Sequence, residues 1–274
     1  MDVSEVRDDL LAEQEALDAV VADLTAEELA LPTPSPRWTV ADQLAHLTYF
    51  DRAAVIAITD PDGFPAQVHA LLEAAAGGDE AVDAFEMDEW RFLPPAELLG
   101  AWRANRAALA AAAETLQNDT RVAWYGPSMG SKSFLTARLM EVWAHGQDIV
   151  DTVGADRPAT DRLRHIVQLG FITRKWSYLN RGMEPPEGEV RIELTAPSGA
   201  TWTYGDDGAT ENTVTGPAED FCLVTTQRRH LDDTDLVVTG DVARDWLLRA
   251  QAFAGPATDG PAPTTAPSTE PRSS

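Results

Sequence analysis

The feature that most constrains this chain is a change of hydrophobic period after Leu179. Up to that point apolar residues recur at helical intervals. Val3, Val6, Leu10, Leu17, Val20 and Leu24 share one face, and acidic residues fill most of the other. Prolines at 32, 34 and 36 interrupt the pattern. Thr39 and Asp42 then have capping-box spacing, which predicts a second helix through His46 towards Thr59. After Pro61, Gly63 and Pro65, a helical stretch is expected over Val68 to Trp90. Pro94 and Pro95 open a long third pattern lined by Leu98, Trp102, Leu109 and Leu116, with Pro95 suited to a first turn. Leu135, Leu139 and Val142 mark a fourth principal helix from Phe134 to Ile149, and residues 160–179 read as a further helical segment.

Beyond that segment the period becomes two. Val190 to Thr195 alternates apolar and polar residues, Pro197 to Gly199 signals a turn, and Trp202 and Tyr204 resume the alternation, so a hairpin is expected. Ala218 to Arg229 reads as helix, Leu236 to Thr239 as strand, and Val242 to Phe253 as a closing helix. The expected organisation is a helical domain over 1–155, a linking helix with a small α+β module over 156–254, and a tail over 255–274. The tail holds five prolines and no apolar residue larger than Ala, which predicts disorder.

Charge narrows the partners. Lys and Arg number 21 against 45 Asp and Glu, a net charge of -24, which repels phosphate backbones and anionic membrane surfaces. Neither a nucleic-acid nor a membrane partner is expected. The acidic start and the lack of a membrane-length apolar run point to a cytoplasmic protein. Cys222 is the one cysteine, so a metal would have to be held by His and carboxylate groups.

Glu141 and His145 stand four apart on the fourth helix and can share one ion. Asp148, three residues further, can accept a hydrogen bond from an imidazole or reach the metal through water. A third ligand must come from another helix. His46 is the best candidate, because Leu44 and Leu47 beside it imply a core-facing segment. The spacing is also compatible with plainer readings: Glu-x-x-x-His pairs occur by chance in acidic helices, and a lone His46 is more often a hydrogen-bonded core residue. Arg138 can line the pocket and hold a substrate carboxylate, although a surface ion pair is the more ordinary outcome. His69, His165 and His230 have no partner at metal spacing and read as surface or core residues, and Trp176 reads as core. The loop from Gly126 to Gly130 lacks phosphate-loop spacing and reads as a flexible lip beside the metal.

The segments Trp38-Thr-Val-Ala-Asp-Gln-Leu-Ala-His46-Leu and Ala137-Arg-Leu-Met-Glu141-Val-Trp-Ala-His145-Gly-Gln-Asp148 resemble the two metal-binding segments of the mycothiol-dependent maleylpyruvate isomerase family, within the wider DinB/YfiT-like metalloprotein group. The resemblance implies a mainly α, DinB-like up-and-down four-helix bundle followed by a small sterol-carrier-like α+β domain. It implies one divalent ion, Zn²⁺ or alternatively Fe²⁺, Ni²⁺ or Mn²⁺, on His46, Glu141 and His145. It also implies mycothiol as a co-substrate and an electrophilic small molecule as substrate. Two neutral imidazoles and one carboxylate would leave about +1 on such an ion and keep coordination positions open. The function this implies is a metal-dependent isomerase or S-transferase, with a metal-bound thiol or water as nucleophile rather than a protein side chain. The alternatives are a hydrolase using bound hydroxide and a non-catalytic protein that binds a metal or a small ligand.

Overall fold

The computed structural model describes residues 2–208 and 210–264. The chain divides into two compact units, Met1–Pro158 and Ala159–Ser274. Among the described residues no helix is long and apolar enough to cross a membrane.

In the first unit, α1 (Val3–Val21) starts at Asp2, whose side chain accepts the Ser4 N–H while Glu5 completes a capping box. The short α2 (Ala26–Leu29) follows behind a Thr25 cap. Thr39 caps α3 (Val40–Thr59) through the expected box with Asp42, and Asp42 also takes Arg91 Nε at 2.7 Å. The stretch read as one helix over Val68 to Trp90 is two, α4 (Phe64–Ala75) and α5 (Asp79–Met87). They break at Gly77 and Gly78, the latter at φ +87, where a side chain would be strained. α6 (Pro95–Ala113) carries Pro95 in its first turn. A two-residue ladder, β1 (Arg121–Val122) on β2 (Met129–Gly130), leads into α7 (Ser131–Val153), which ends at left-handed Gly154.

The long helices pack as a bundle. α3 lies against α6 and α7, while α1 lies against α7 and, less extensively, α6. Leu10, Leu17, Leu44, Leu47, Leu98, Trp102, Phe134 and Leu135 fill the core. α1 comes close to α7 at Gly146, where a Cβ would stand 3.2 Å from Leu17 Cδ1 and 2.5 Å from Arg157 Nη1.

In the second unit the expected single segment over 160–179 is α8 (Leu163–Ile172) and α9 (Arg174–Leu179). Trp176 on α9 is 40% exposed rather than core. The hairpin forms as read, β3 (Arg191–Thr195) against β4 (Thr201–Tyr204), with Ile192 opposite Tyr204 and Leu194 opposite Trp202. An unexpected strand, β5 (Thr213–Pro217), pairs in parallel with β3 on its other edge. Its sequence carries one bulky apolar residue, Val214, before Gly216 and Pro217, so it has almost no alternation to read. α10 (Ala218–Thr225) starts directly from it. After a 3-10 turn over Leu231–Asp233, β6 (Val237–Thr239) pairs with β5 and completes the order β4-β3-β5-β6. α11 (Asp241–Leu247) is shorter than expected, and Trp246, Leu247 and Ala250 are buried.

The tail departs from the expected disorder over its first part. Asn180 Nδ2 donates to the Gly255 carbonyl at 3.0 Å, Arg181 pairs with Asp259 at 3.1 Å, and Thr264 N–H donates to Asp233 at 2.9 Å. Polar side chains of the unit thus supply the contacts that the tail's composition cannot. The remainder of the expected tail, 265–274, lies outside the described residues.

Candidate metal centre

His46 sits mid-helix on α3, and Glu141 and His145 project one turn apart from the facing side of α7. One donor atom from each lies within 4.8 Å of the others. His145 Nε2 is 3.1 Å from Glu141 Oε2, and His46 Nε2 is 3.6 Å from the same oxygen. Two donors about 2.1 Å from a shared ion at a tetrahedral angle would stand about 3.4 Å apart, so these separations fit a single ion.

Both imidazoles are held through Nδ1, so that Nε2 faces Glu141. Glu86, buried on α5, faces His46 Nδ1 at 3.0 Å and, as a carboxylate, takes that nitrogen's proton in a hydrogen bond. His145 Nδ1 stands 2.6 Å from Gln43 Oε1. The Gln43 amide cannot face the other way, because its Nε2 donates to Thr33 Oγ1 at 2.9 Å and to Asp148 Oδ2 at 3.3 Å. Ser35 Oγ also donates to Asp148 Oδ2, at 3.0 Å. Asp148 therefore bears on His145 through Gln43, one residue further back than its spacing suggested.

The electrostatics favour a cation. Burial alone would lower the His46 pKa, but hydrogen bonds and charge from Glu141 and Glu86 outweigh it and raise the value. Burial would likewise raise Glu141, yet hydrogen bonds from His145 and His46, together with the charges of His145 and Arg138, hold it well below the usual carboxylate range. A carboxylate this strongly stabilised, with two imidazole Nε2 atoms turned towards it, suits a divalent ion.

Arg138 is neither a surface ion pair nor an open pocket residue. It is 2% exposed, donates to buried Asp51 at 3.1 Å, and lies 5.7 Å from the Phe50 ring centroid. A helix face buried on this side leaves the guanidinium no route to solvent, and Asp51 supplies the compensating charge. Of the other histidines, His165 is buried, His69 is exposed beside Glu73, and His230 accepts the Asp232 N–H at the 3-10 turn.

Several site residues were not assigned a role from the sequence. Trp38 covers both imidazoles, with ring centroids 4.8 Å from His46 and 5.7 Å from His145. Its Nε1 donates to Asp83 at 3.0 Å, and Asp83 also takes Arg37 Nε at 3.1 Å, which braces the left-handed turn at Arg37. Phe50 packs 4.6 Å from His46 and leads on to Tyr125 and Trp124. These last two immediately precede the Gly126–Gly130 loop read as a flexible lip. The β1–β2 ladder ties the loop down, and Tyr125 reaches across to Tyr49, hydroxyl to hydroxyl, at 3.0 Å. Gln43 lies in the segment that carries His46, three residues ahead of it, and that spacing was the available signal. Glu86 had none, being one acid among several in Asp79–Met87.

The fold and the cluster together define a class: a helical bundle offering two imidazoles and a carboxylate from two of its helices, followed by a small α+β unit. The chain belongs to the mycothiol maleylpyruvate isomerase family, an enzyme family, whose N-terminal domain model matches residues 10–150 and whose C-terminal domain model matches residues 169–244. It is 45% identical over 248 residues to uncharacterized proteins from two strains of Mycobacterium tuberculosis, CDC 1551 / Oshkosh and ATCC 25618 / H37Rv, covering 90% of this chain and 95% of each relative. Two crystal structures of the mycothiol-dependent maleylpyruvate isomerase, one of them a histidine-to-alanine mutant, share the fold. Their TM-scores are 0.54 and 0.55 at 18% and 19% identity, over 83% of this chain and 90% of theirs.

Proposed function

We propose that this chain is a metal-dependent isomerase or S-transferase that uses mycothiol and acts on an electrophilic small molecule. The observation that carries the reading is the convergence of His46 Nε2, His145 Nε2 and Glu141 Oε2, with Glu86 and Gln43 fixing both tautomers, in a member of this family. His46, Glu141 and His145 would hold the ion. A divalent ion bound there lowers the pKa of a coordinated thiol and polarises a substrate oxygen.

The sulfur must be brought in. Cys222 is fully buried, and burial pushes its thiol pKa well up, so the chain's one cysteine is no nucleophile. In the isomerisation, a thiolate sulfur bonds to one carbon of a double bond conjugated to a carbonyl, and the displaced electron pair moves to the carbonyl oxygen. The former double bond is now single and rotates. The pair then returns, the C–S bond breaks, and the thiolate leaves the trans product. If the enolate carbon instead takes up the proton that the thiol gave up, the C–S bond is kept and the outcome is transfer.

Metal analysis of the purified protein tests the site: near-stoichiometric divalent metal is expected, lost in His46→Ala and His145→Ala. Turnover of a maleyl or enoyl substrate with and without mycothiol tests the reaction. Product that forms equally without thiol would replace this reading with metal-assisted hydrolysis.

A further inference from the structure

The wall beside the metal trio has a layered construction. Phe134, Arg138 and Glu141 follow one another along one face of α7. Phe134 meets Trp124 at 5.0 Å, Arg138 meets Phe50, and Glu141 meets His46. Phe64, Phe134 and Tyr49 are buried, whereas Phe50, Trp124 and Tyr125 in front of them, like Glu141, keep part of their surface in solvent. Trp124 stacks on Phe64 with ring planes 7° apart. A partly open aromatic face thus starts at His46 and runs away from it along α7.

One polar device sits in that face. Tyr49 follows His46 by one helical turn, and its hydroxyl meets that of Tyr125 at 3.0 Å. Two phenols carry two protons, and their mutual hydrogen bond uses only one. Burial raises both phenol pKa values, so both stay protonated donors at neutral pH. When Tyr49 donates to Tyr125, the half-buried Tyr125 is left with its own proton to offer.

We propose that Tyr125, backed by Tyr49, donates a hydrogen bond to the carbonyl oxygen of a planar, conjugated substrate seated in the angle between Phe50 and Trp124, whose ring planes are 54° apart. Aromatic rings favour a flat, polarisable partner. A donor aimed at the oxygen that receives the electron pair when sulfur adds would stabilise that oxygen more as the charge develops. The assignment rests on the site being the one where the proposed reaction occurs. Tyr125 would touch the substrate, and Tyr49 would orient Tyr125.

The probe is trans-4-(dimethylamino)cinnamaldehyde, a flat conjugated aldehyde whose absorbance moves to longer wavelength when its oxygen is polarised. Titrated into Zn²⁺-loaded full-length protein without thiol, it is expected to bind with a red shift. Tyr125→Phe should weaken binding about tenfold and reduce the shift, a typical loss for one hydrogen bond in a partly buried site. Tyr49→Phe should weaken it less, since Tyr125 keeps its proton. Trp124→Leu should weaken binding while the bound probe keeps its full shift, which separates the wall from the donor. Thermal midpoint and zinc content confirm that each variant is folded and loaded. Equal affinity and shift in wild type and Tyr125→Phe would overturn the assignment, as would failure of the wild type to bind. Binding in the expected pattern by a protein with no thiol-dependent turnover supports the subsite and removes the proposed reaction. Thiol-dependent turnover with unchanged kcat/KM and probe affinity in Tyr125→Phe removes the subsite alone.

Discussion

Replacing Glu86 should loosen the metal site without touching a ligand. Its carboxylate is buried, 5% exposed, and holds His46 Nδ1 at 3.0 Å, so the imidazole presents Nε2 towards Glu141. Glu86→Ala would leave the Nδ1 proton without its acceptor in a buried position and free the ring to turn or change tautomer. Losing such a partner typically costs 10- to 100-fold in metal affinity, or about 1.4–2.8 kcal/mol. Glu86→Gln can keep an amide oxygen on Nδ1 but gives up the charge assistance, which accounts for roughly half the strength of the bond. Its loss should be smaller, about 5-fold. The assay is competition for Zn²⁺ against a chelator of known affinity, run at one pH on the wild type and both variants. Thermal midpoints of the metal-free proteins separate a weakened site from a weakened fold. Unchanged Zn²⁺ affinity in Glu86→Ala, with the protein folded, would refute the argument that this carboxylate sets the His46 tautomer.

Three further outcomes follow from the same structure. Cys222 should resist iodoacetamide in the native protein and react fully after unfolding, because it is buried with a raised thiol pKa; rapid native labelling, counted by mass spectrometry, would contradict its burial. Asp18, held by Arg103 and Arg106, has its pKa lowered, by the Arg103 hydrogen bond first, with burial opposing. A depressed folded value gives stability that is present above the unfolded pKa of about 3.9 and is lost as pH falls through the folded pKa. Asp18→Asn should therefore cost about 2 kcal/mol at pH 7 in urea unfolding, with the gap to wild type closing below about pH 4. Gly146→Ala would place a Cβ 2.5 Å from Arg157 Nη1, displacing a side chain whose Nη2 donates to the Trp143 carbonyl at 2.9 Å and to Gln147 at 3.0 Å. The lost bonds outweigh the roughly 1 kcal/mol that Ala gains over Gly in a helix, so stability should fall by about 1–2 kcal/mol; a more stable variant would show that Arg157 relocates without loss.

The parts of the fold that were legible in the sequence are those where one local signal decides the structure. Thr39 and Asp42 form their capping box, Pro95 opens α6, and the alternation from Val190 gives β3. Elements were lost where the decisive partner is distant. β5 exists because β3 and β6 flank it, and three of its five residues, Thr213, Val214 and Thr215, meet partners on both sides. No alternation within the segment announces that pairing. The tail shows the converse: its composition cannot build a core, yet Asn180, Arg181 and Asp233 hold its first residues in place.

The site divides along the same line. The i,i+4 pair on α7 is a local pattern, and Asp148 was visible one turn on. What the local pattern could not supply was the intermediate residue: Gln43, from α3, reaches between Asp148 and His145 and bonds both. Arg138 went astray for the related reason that its neighbours on α7 say nothing about Asp51, which meets it from another helix. Glu86 is the extreme case. It lies on a short helix whose existence turns on two glycines and whose acids all resemble surface residues, yet it holds the imidazole that lies farthest in sequence from the α7 pair. A metal ligand can be read from the spacing of donors on one helix. The residue that fixes its tautomer is selected by packing between helices, so it becomes identifiable only once α5 is seen against α3.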